Sequence, residues 1–369
     1  MLKRITFILL SLALFMNSCQ NGLDSESTTI VLTPTQQTSL PSETVASPTS
    51  TRESEPEPTG TNRPGATGIV PQCFISSSEA SPFAFMPDSA RIVIKEQSGV
   101  RIFNVETMEE ERFLQTPPLP GPIALSPDGG TLAWALEDYT IQLVRSMDGE
   151  LIHTLEGHFW PVTKLRFSSS GDNLFSASMD TWVRVWDLNG ELVDSFEPTG
   201  ANNSPNEIQG IGISPDEKML GSVPFDGPAR VWNLADKQEI VNLGGTGGDV
   251  TSDFAFSADG QFVAADQAGR LSVWRTSDWK KIGPEVLSMA FAFSPDGRFL
   301  AYHDSVDSNV YLHSLAETEE IRDLEGAQTF IYDLFFSPDG TLLASGGAGI
   351  QIWQVETGQL LYVGKDTCP

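Results

Sequence analysis

One five-residue pattern returns seven times along this chain: Phe85-Met86-Pro87-Asp88-Ser89, Leu125-Ser126-Pro127-Asp128-Gly129, Phe167-Ser168-Ser169-Ser170-Gly171, Ile213-Ser214-Pro215-Asp216-Glu217, Phe256-Ser257-Ala258-Asp259-Gly260, Phe293-Ser294-Pro295-Asp296-Gly297 and Phe336-Ser337-Pro338-Asp339-Gly340. The fourth positions run from Asp88 to Asp339 in six intervals of about 42 residues each, a period near forty that signals a propeller. The pattern describes a hairpin corner. Pro presets φ at the first turn position, Asp accepts local backbone hydrogen bonds, and Gly takes the positive φ that a short hairpin loop requires.

Each corner leads into an apolar strand, as in Leu342-Leu343-Ala344-Ser345 or Phe262-Val263-Ala264-Ala265, and then into a strand of period two, as in Val183-Arg184-Val185-Trp186, Ala229-Arg230-Val231-Trp232, Leu271-Ser272-Val273-Trp274 and Ile350-Gln351-Ile352-Trp353. Apolar residues on both faces of such strands fit sheets packed between neighbouring sheets. A fourth, more polar strand follows at Glu150 to Leu155 and at Gln359 to Val363. Eight Trp, 21 Phe, 32 Gly and 24 Pro suit a chain of many short strands divided by turns.

From about Ser81 to Val363 these residues resemble the WD-repeat family, whose copies run hairpin, strand, Trp-Asp, strand and Gly-His. The third copy shows the whole pattern in Gly157-His158, Ser176, Asp180 and Trp186-Asp187. The resemblance implies an all-β fold, a seven-bladed β-propeller of four-stranded antiparallel blades. It also implies that His158, Ser176, Asp180 and Trp186 form a buried hydrogen-bonded tetrad, in keeping with the rule that buried polar groups are paired. Other copies depart from it. Asp138, Asp226 and Asp307 keep the acidic position, Gln97, Ala268 and Gly347 replace it, and Phe103, Val144 and His313 stand where the Trp belongs.

The N-terminal segment belongs to export rather than to the fold. Lys3 and Arg4 precede an apolar run from Ile5 to Met16, too short to span a bilayer and suited to a signal-peptide core. Met16-Asn17-Ser18-Cys19 resembles a bacterial lipobox, which implies lipidation at Cys19; an ordinary cleaved signal is the other reading. Asp24 to Gly68 is rich in Ser, Thr, Pro and Glu and is expected to be a disordered tether, reaching a few tens of Å at the coil scaling of about 5–6 Å × √n. The expected organisation is a signal peptide at 1–18, a lipid-anchored linker at 19–68 and the propeller at 69–369. The location is the outer side of a bacterial membrane or cell surface, touched only through the lipid.

With Cys19 acylated, Cys73 and Cys368 remain just outside the first and last repeats, and a Cys73–Cys368 disulfide is expected to latch the ring. In the chain-entropy model it contributes about 5 kcal/mol at most. Two free thiols are the alternative. The outer strand of the last blade can come from Gln359 to Val363, or residues Ile69 to Ile75 can pair or cap there.

Chemistry is sparse. None of the four His stands in a metal-ligand spacing, and Gly244-Gly245-Thr246-Gly247-Gly248 lacks the Lys-Ser/Thr and the strand-loop-helix setting of a phosphate loop. His153, His303 and His313 read as structural. A net charge of −27, from 22 basic and 49 acidic residues, repels nucleic-acid phosphates. A carboxylate pair in the central channel, or a Ca²⁺ ion on turn oxygens, stays open. The turns between the second and third strands and the connections between blades share one face, and they carry Tyr139, Phe159, Trp160, Trp182 and Phe225. Exposed aromatics bury much area at little rotamer cost, so this face is the expected partner-binding surface. The expected function is a monomeric, non-catalytic scaffold for a protein or peptide, with no cofactor and no nucleic acid. The alternative is an exported propeller enzyme or a carbohydrate-binding propeller.

Overall fold

The computed structural model describes residues 81–363 except 97, 118–120, 199–205, 246–252, 289, 316–320, 325, 328–330 and 348. Each copy of the repeat folds into one blade. Blade one is β1 to β4 (Ser81–Phe85, Arg91–Glu96, Gly99–Asn104, Glu110–Gln115), and blade two is β5 to β8 (Ile123–Leu125, Thr131–Ala135, Ile141–Arg145, Leu151–Leu155). Blade three is β9 to β12 (Val162–Phe167, Asn173–Ser178, Val183–Asp187, Leu192–Phe196), and blade four is β13 to β16 (Ile208–Ile213, Met219–Pro224, Ala229–Asn233, Glu239–Gly244). Blade five is β17 to β20 (Phe254–Phe256, Phe262–Gln267, Arg270–Arg275, Lys280–Leu287), and blade six is β21 to β24 (Phe291–Phe293, Phe299–Asp304, Asn309–Ser314, Ile321–Leu324). Blade seven is β25 to β28 (Ile331–Phe336, Leu342–Gly347, Gln351–Gln354, Leu360–Val363).

Every sheet is an antiparallel meander in chain order, so no strand is exchanged between blades. The outer strand of blade seven is β28, paired through Gln351 with Val363, which resolves the choice between the two chain ends in favour of Leu360–Val363. Residues Ile69 to Ile75, Cys19, Cys73 and Cys368 lie outside the described residues, as do the linker and most of the glycine run at 244–248.

The corner motif explains its own recurrence. Its Ser is buried and serves twice: Ser337 donates to Asp339 Oδ1 at 2.6 Å while its oxygen accepts the Leu342 N–H at 2.9 Å, and Ser126, Ser214, Ser257 and Ser294 repeat both bonds. The Ser thus ties the turn to the first residue of the next strand, satisfying a backbone donor that burial would otherwise orphan. The fifth position is left-handed in every copy, with φ of 71° at Gly340 and 57° at both Ser89 and Glu217. Corners also stack around the ring, because a Cβ on Gly129 would lie 2.6 Å from the Pro87 ring of the preceding blade.

Apolar faces meet in seven clusters among the described residues, one per blade interface. The Trp of each third strand packs against the preceding blade, Trp186 with Leu143 and Leu155, Trp353 with Leu312 and Leu324. Burial of such a side chain contributes about 1.5–3 kcal/mol. Phe103 and Val144 fill the same role where Trp is missing, which is why sequence degeneracy leaves the blade count intact. The ring closes in the cluster of Phe85, Ile92, Ile94 and Phe103 of blade one with Ala344, Ile352 and Tyr362 of blade seven.

Candidate functional site

His158 enters from the connection between β8 and β9, and Ser176 and Trp186 come from β10 and β11. Asp180 comes from the turn between those two strands. The structure brings all four together. Trp186 Nε1–H donates to Ser176 Oγ at 2.9 Å, the Ser176 hydroxyl faces His158 Nε2 at 2.7 Å, and His158 Nδ1 faces Asp180 Oδ2 at 2.8 Å. His158 Nδ1 lies between the Asp180 carboxylate and the Arg184 Nη1–H, which is 2.6 Å away, while Nε2 pairs with the Ser176 hydroxyl. Asp180 also accepts the Trp182 N–H at 3.0 Å and Arg184 Nη1–H at 2.9 Å.

Burial pushes the His158 imidazole below its ordinary range, against the pull of Asp180, and Arg184 adds to the depression. Burial works against the Asp180 charge as well, but the His158 hydrogen bond and the Arg184 charge hold its carboxyl below the usual carboxylate range. The pair is therefore neutral imidazole beside carboxylate.

A hydroxyl, an imidazole and a carboxylate in that order resemble the relay of a hydrolase. Ser176 has no exposed surface, and its oxygen is already engaged by Trp186. No substrate carbonyl can reach it, so the relay orders blade three and the connection leading into it. Blade four keeps half of the arrangement, with Trp232 Nε1–H donating to Ser222 Oγ at 2.9 Å.

Aromatic side chains crowd the same face. Phe159 and Trp160 are 59% and 52% exposed in the connection entering blade three, and Phe225 is 40% exposed in the turn between β14 and β15. Tyr139 sits at φ 70° in the equivalent turn of blade two and is half-buried. Trp182 is also half-buried, with the Arg184 guanidinium 5.9 Å from its ring centroid, so it folds over its own blade more than it projects. Val306, 76% exposed in the turn of blade six, adds an apolar residue that is not aromatic to this face.

The central channel holds a second constellation. Inner strands, with Lys95 of β2 and Asp253 just before β17, line a cavity of about 570 Å³ that also has Lys164, Arg166 and Asp333 among its walls. Lys164 Nζ and Arg166 Nη2 both reach Asp253 Oδ2, at 2.9 Å and 2.7 Å, while Asp253 Oδ1 accepts the Phe254 N–H at 2.8 Å. Burial opposes the Asp253 charge, but the two cations hold its carboxyl below the usual range. Burial pushes the Asp333 carboxyl up, and the neighbouring Asp253 charge adds to that. The sequence signal for this cluster is the pair of basic residues two apart in an inner strand, whose side chains must share one face.

His303 lies in β22, only 4% exposed, and among the described residues neither ring nitrogen has a hydrogen-bond partner. Asp304 and Asp307, its neighbours in sequence, instead cap the following turn, accepting the N–H groups of Val306 and Asn309. Among the described residues no group of three or more His, Cys, Asp or Glu side chains could hold a metal ion.

Comparison with known proteins agrees with the blade geometry. Residues 149–187 and 318–353 match the family described as WD domain, G-beta repeat. The chain is 28% identical over 151 residues to COMPASS component SWD3 of Saccharomyces cerevisiae, covering 40% of this chain and 46% of that protein. It is 28% identical over 212 residues to Transducin beta-like protein 2 of Mus musculus, covering 52% of this chain and 46% of that one. Against Striatin-3 of Homo sapiens it is 26% identical over 172 residues, covering 42% and 21%. These matches span less than half the length of each relative. Both matched segments run from the outer strand of one blade through the third strand of the next, so two stretches similar to WD repeats of the G-beta type lie within a ring of seven blades.

Proposed function

We propose that the chain is a non-catalytic, extracytoplasmic scaffold that binds a protein or peptide partner through the face bearing the inter-blade connections. The observation that carries this reading is the exposure of Phe159, Trp160 and Phe225 on that one face of a rigid ring. Large aromatics left in water on a preorganised surface bury much area on association and lose little rotamer freedom. The buried, fully engaged Ser176 relay supports the non-catalytic part. One similar protein is named as a component of an assembly, in keeping with a binding role.

The test replaces Phe159 and Trp160 by Ala in the full chain and measures recovery of cross-linked envelope proteins. Loss of a partner that the wild type retains, with thermal melting unchanged, supports the face. Full recovery of every partner would count against it.

The signal-like segment and Cys19 support export and lipid anchoring to the outer side of a membrane. Cys19→Ser should then move the protein from the membrane fraction to the soluble one. Cys73 and Cys368 are proposed to pair, and an intact mass that rises by two hydrogen atoms on reduction checks the bond.

A further inference from the structure

The channel mouth inverts the charge of the molecule around it. The chain carries −27, yet the side chains gathered at the mouth are Lys95, Lys164 and Arg166 against Asp253 and Asp333. We propose that this mouth is the seat for a carboxylate of the bound polypeptide, an Asp or Glu side chain or a C-terminal carboxylate, received by Lys164 and Arg166. The proposal rests on the reading that the connection face binds a polypeptide, and it names the chemistry that the face selects.

Three features point to an anion rather than a cation. First, both oxygens of the Asp253 carboxylate are already engaged, one by Lys164 and Arg166 and the other by the Phe254 N–H. An incoming Lys or Arg would meet only Asp333, beside two cations. Second, the donors are not exhausted: Lys164 and Arg166 each reach only Asp253 at ion-pair distance among the described residues, with Asp333 acting on them through its charge, and each has further N–H groups. A guanidinium with open N–H groups suits a carboxylate in two-point geometry. Third, Ala255, Ala292 and Phe335 line the cavity beside the charges, so an ion pair here is screened less than on the outer surface.

The ring's own construction places these groups. Lys164 and Arg166 are the third and fifth residues of β9, and the third and fifth residues of the adjacent inner strand β13 are Gly210 and Gly212. With no side chains at those positions, the cations of blade three reach across blade four to Asp253 of blade five. Trp160 stands four residues before Lys164 in the chain, and Asp253 immediately precedes β17, so seat and aromatic patch open on one face. A space of about 570 Å³ accommodates a side chain or a chain end and excludes a folded domain.

The experiment selects binders for the full-length protein from short random peptides with free carboxyl termini. The tightest binder is then remade with each carboxylate converted to an amide in turn. Amidation of one carboxylate and Arg166→Gln should each weaken binding by at least about tenfold, whereas Asp253→Asn, which removes the competing internal anion, should strengthen it. A gain from Asp253→Asn cannot arise from a damaged fold, and circular dichroism melts of each variant check Arg166→Gln. A binder indifferent to every amidation and to Arg166→Gln overturns the seat. If Trp160→Ala abolishes binding of that same peptide, the aromatic face survives while the carboxylate seat falls. If no peptide binds, or the bound peptide ignores Trp160→Ala and Arg166→Gln alike, both readings fall.

Discussion

Asp339 donates its backbone N–H to the Ser89 hydroxyl across 3.1 Å, joining the last corner of the ring to the first over 250 positions of sequence. The same link occurs once more, where Ser170 N–H donates to Glu217 Oε1 at 2.8 Å between blades three and four. Ser89 and Glu217 are the two corner residues that occupy the left-handed fifth position without being Gly. Both spend a backbone conformation disfavoured for a side chain on a bond to the preceding blade.

Replacing Ser89 by Ala removes the bond and keeps the strained φ of 57°. A stability loss of about 1 kcal/mol is expected in urea unfolding. Ser89→Gly also removes the bond but relieves the strain, so it should lose less than Ser89→Ala. Equal midpoints for the two variants would show that the left-handed position stores no strain.

Ser176→Ala leaves the Trp186 N–H and His158 Nε2 buried without their shared partner, and a loss of about 1–3 kcal/mol is expected. The pH dependence has a definite direction. Burial lowers the His158 pKa in the fold, so the unfolded chain binds more protons as the pH drops. Stability is full above the ordinary imidazole value near 6.5 and is lost progressively as the pH falls through it. Chemical denaturation at a series of pH values should show that slope in the wild type and a shallower one in His158→Gln.

Gly221 is a glycine because of Phe254. A Cβ built on it would overlap the Phe254 ring, and one on Gly212 would lie 2.7 Å from the Phe254 carbonyl oxygen. Gly221→Ala should therefore destabilise by about 1–3 kcal/mol, the range for overpacking in a close-packed interior. Phe254→Ala alone should cost about 3–5 kcal/mol. The double variant should cost less than the sum, because the truncated ring no longer meets the new methyl. Strict additivity in calorimetric melts would place the strain elsewhere.

The blades were legible in the sequence because a hairpin corner is local chemistry: Pro, Asp and Gly each act within a few residues of themselves. The tetrad of blade three was legible through its resemblance to a known repeat. The corner Ser was not given its role, since its bond to a strand residue five positions on has no compositional signature. Nor was the channel cluster, where Lys164 and Asp253 meet only after an intervening blade is laid down. Trp182 shows the opposite limit: it stands at the end of the turn between β10 and β11 as expected, but Asp180 and Thr181 of that turn are buried and Trp182 itself is half-buried beside Arg184.

His303 offers the sharpest contrast with His158, because both imidazoles are buried and, among the described residues, only His158 is bonded. Burial lowers the pKa of His303, while Asp304 and Asp307 pull the other way without hydrogen-bonding to it. A buried polar group without a partner costs about 1–3 kcal/mol. His303→Leu, close in volume and free of polar atoms, should therefore raise stability by about 1–2 kcal/mol at neutral pH. The gain should widen as the pH falls below about 6.5, since the wild-type fold must then exclude a proton that the unfolded chain takes up. His158→Leu should do the reverse at neutral pH, lowering the melting temperature, because it strips a bonded relay rather than an idle ring. If His303→Leu also melts lower than wild type, the imidazole is bonded within the fold, and its burial stabilises blade six instead of straining it.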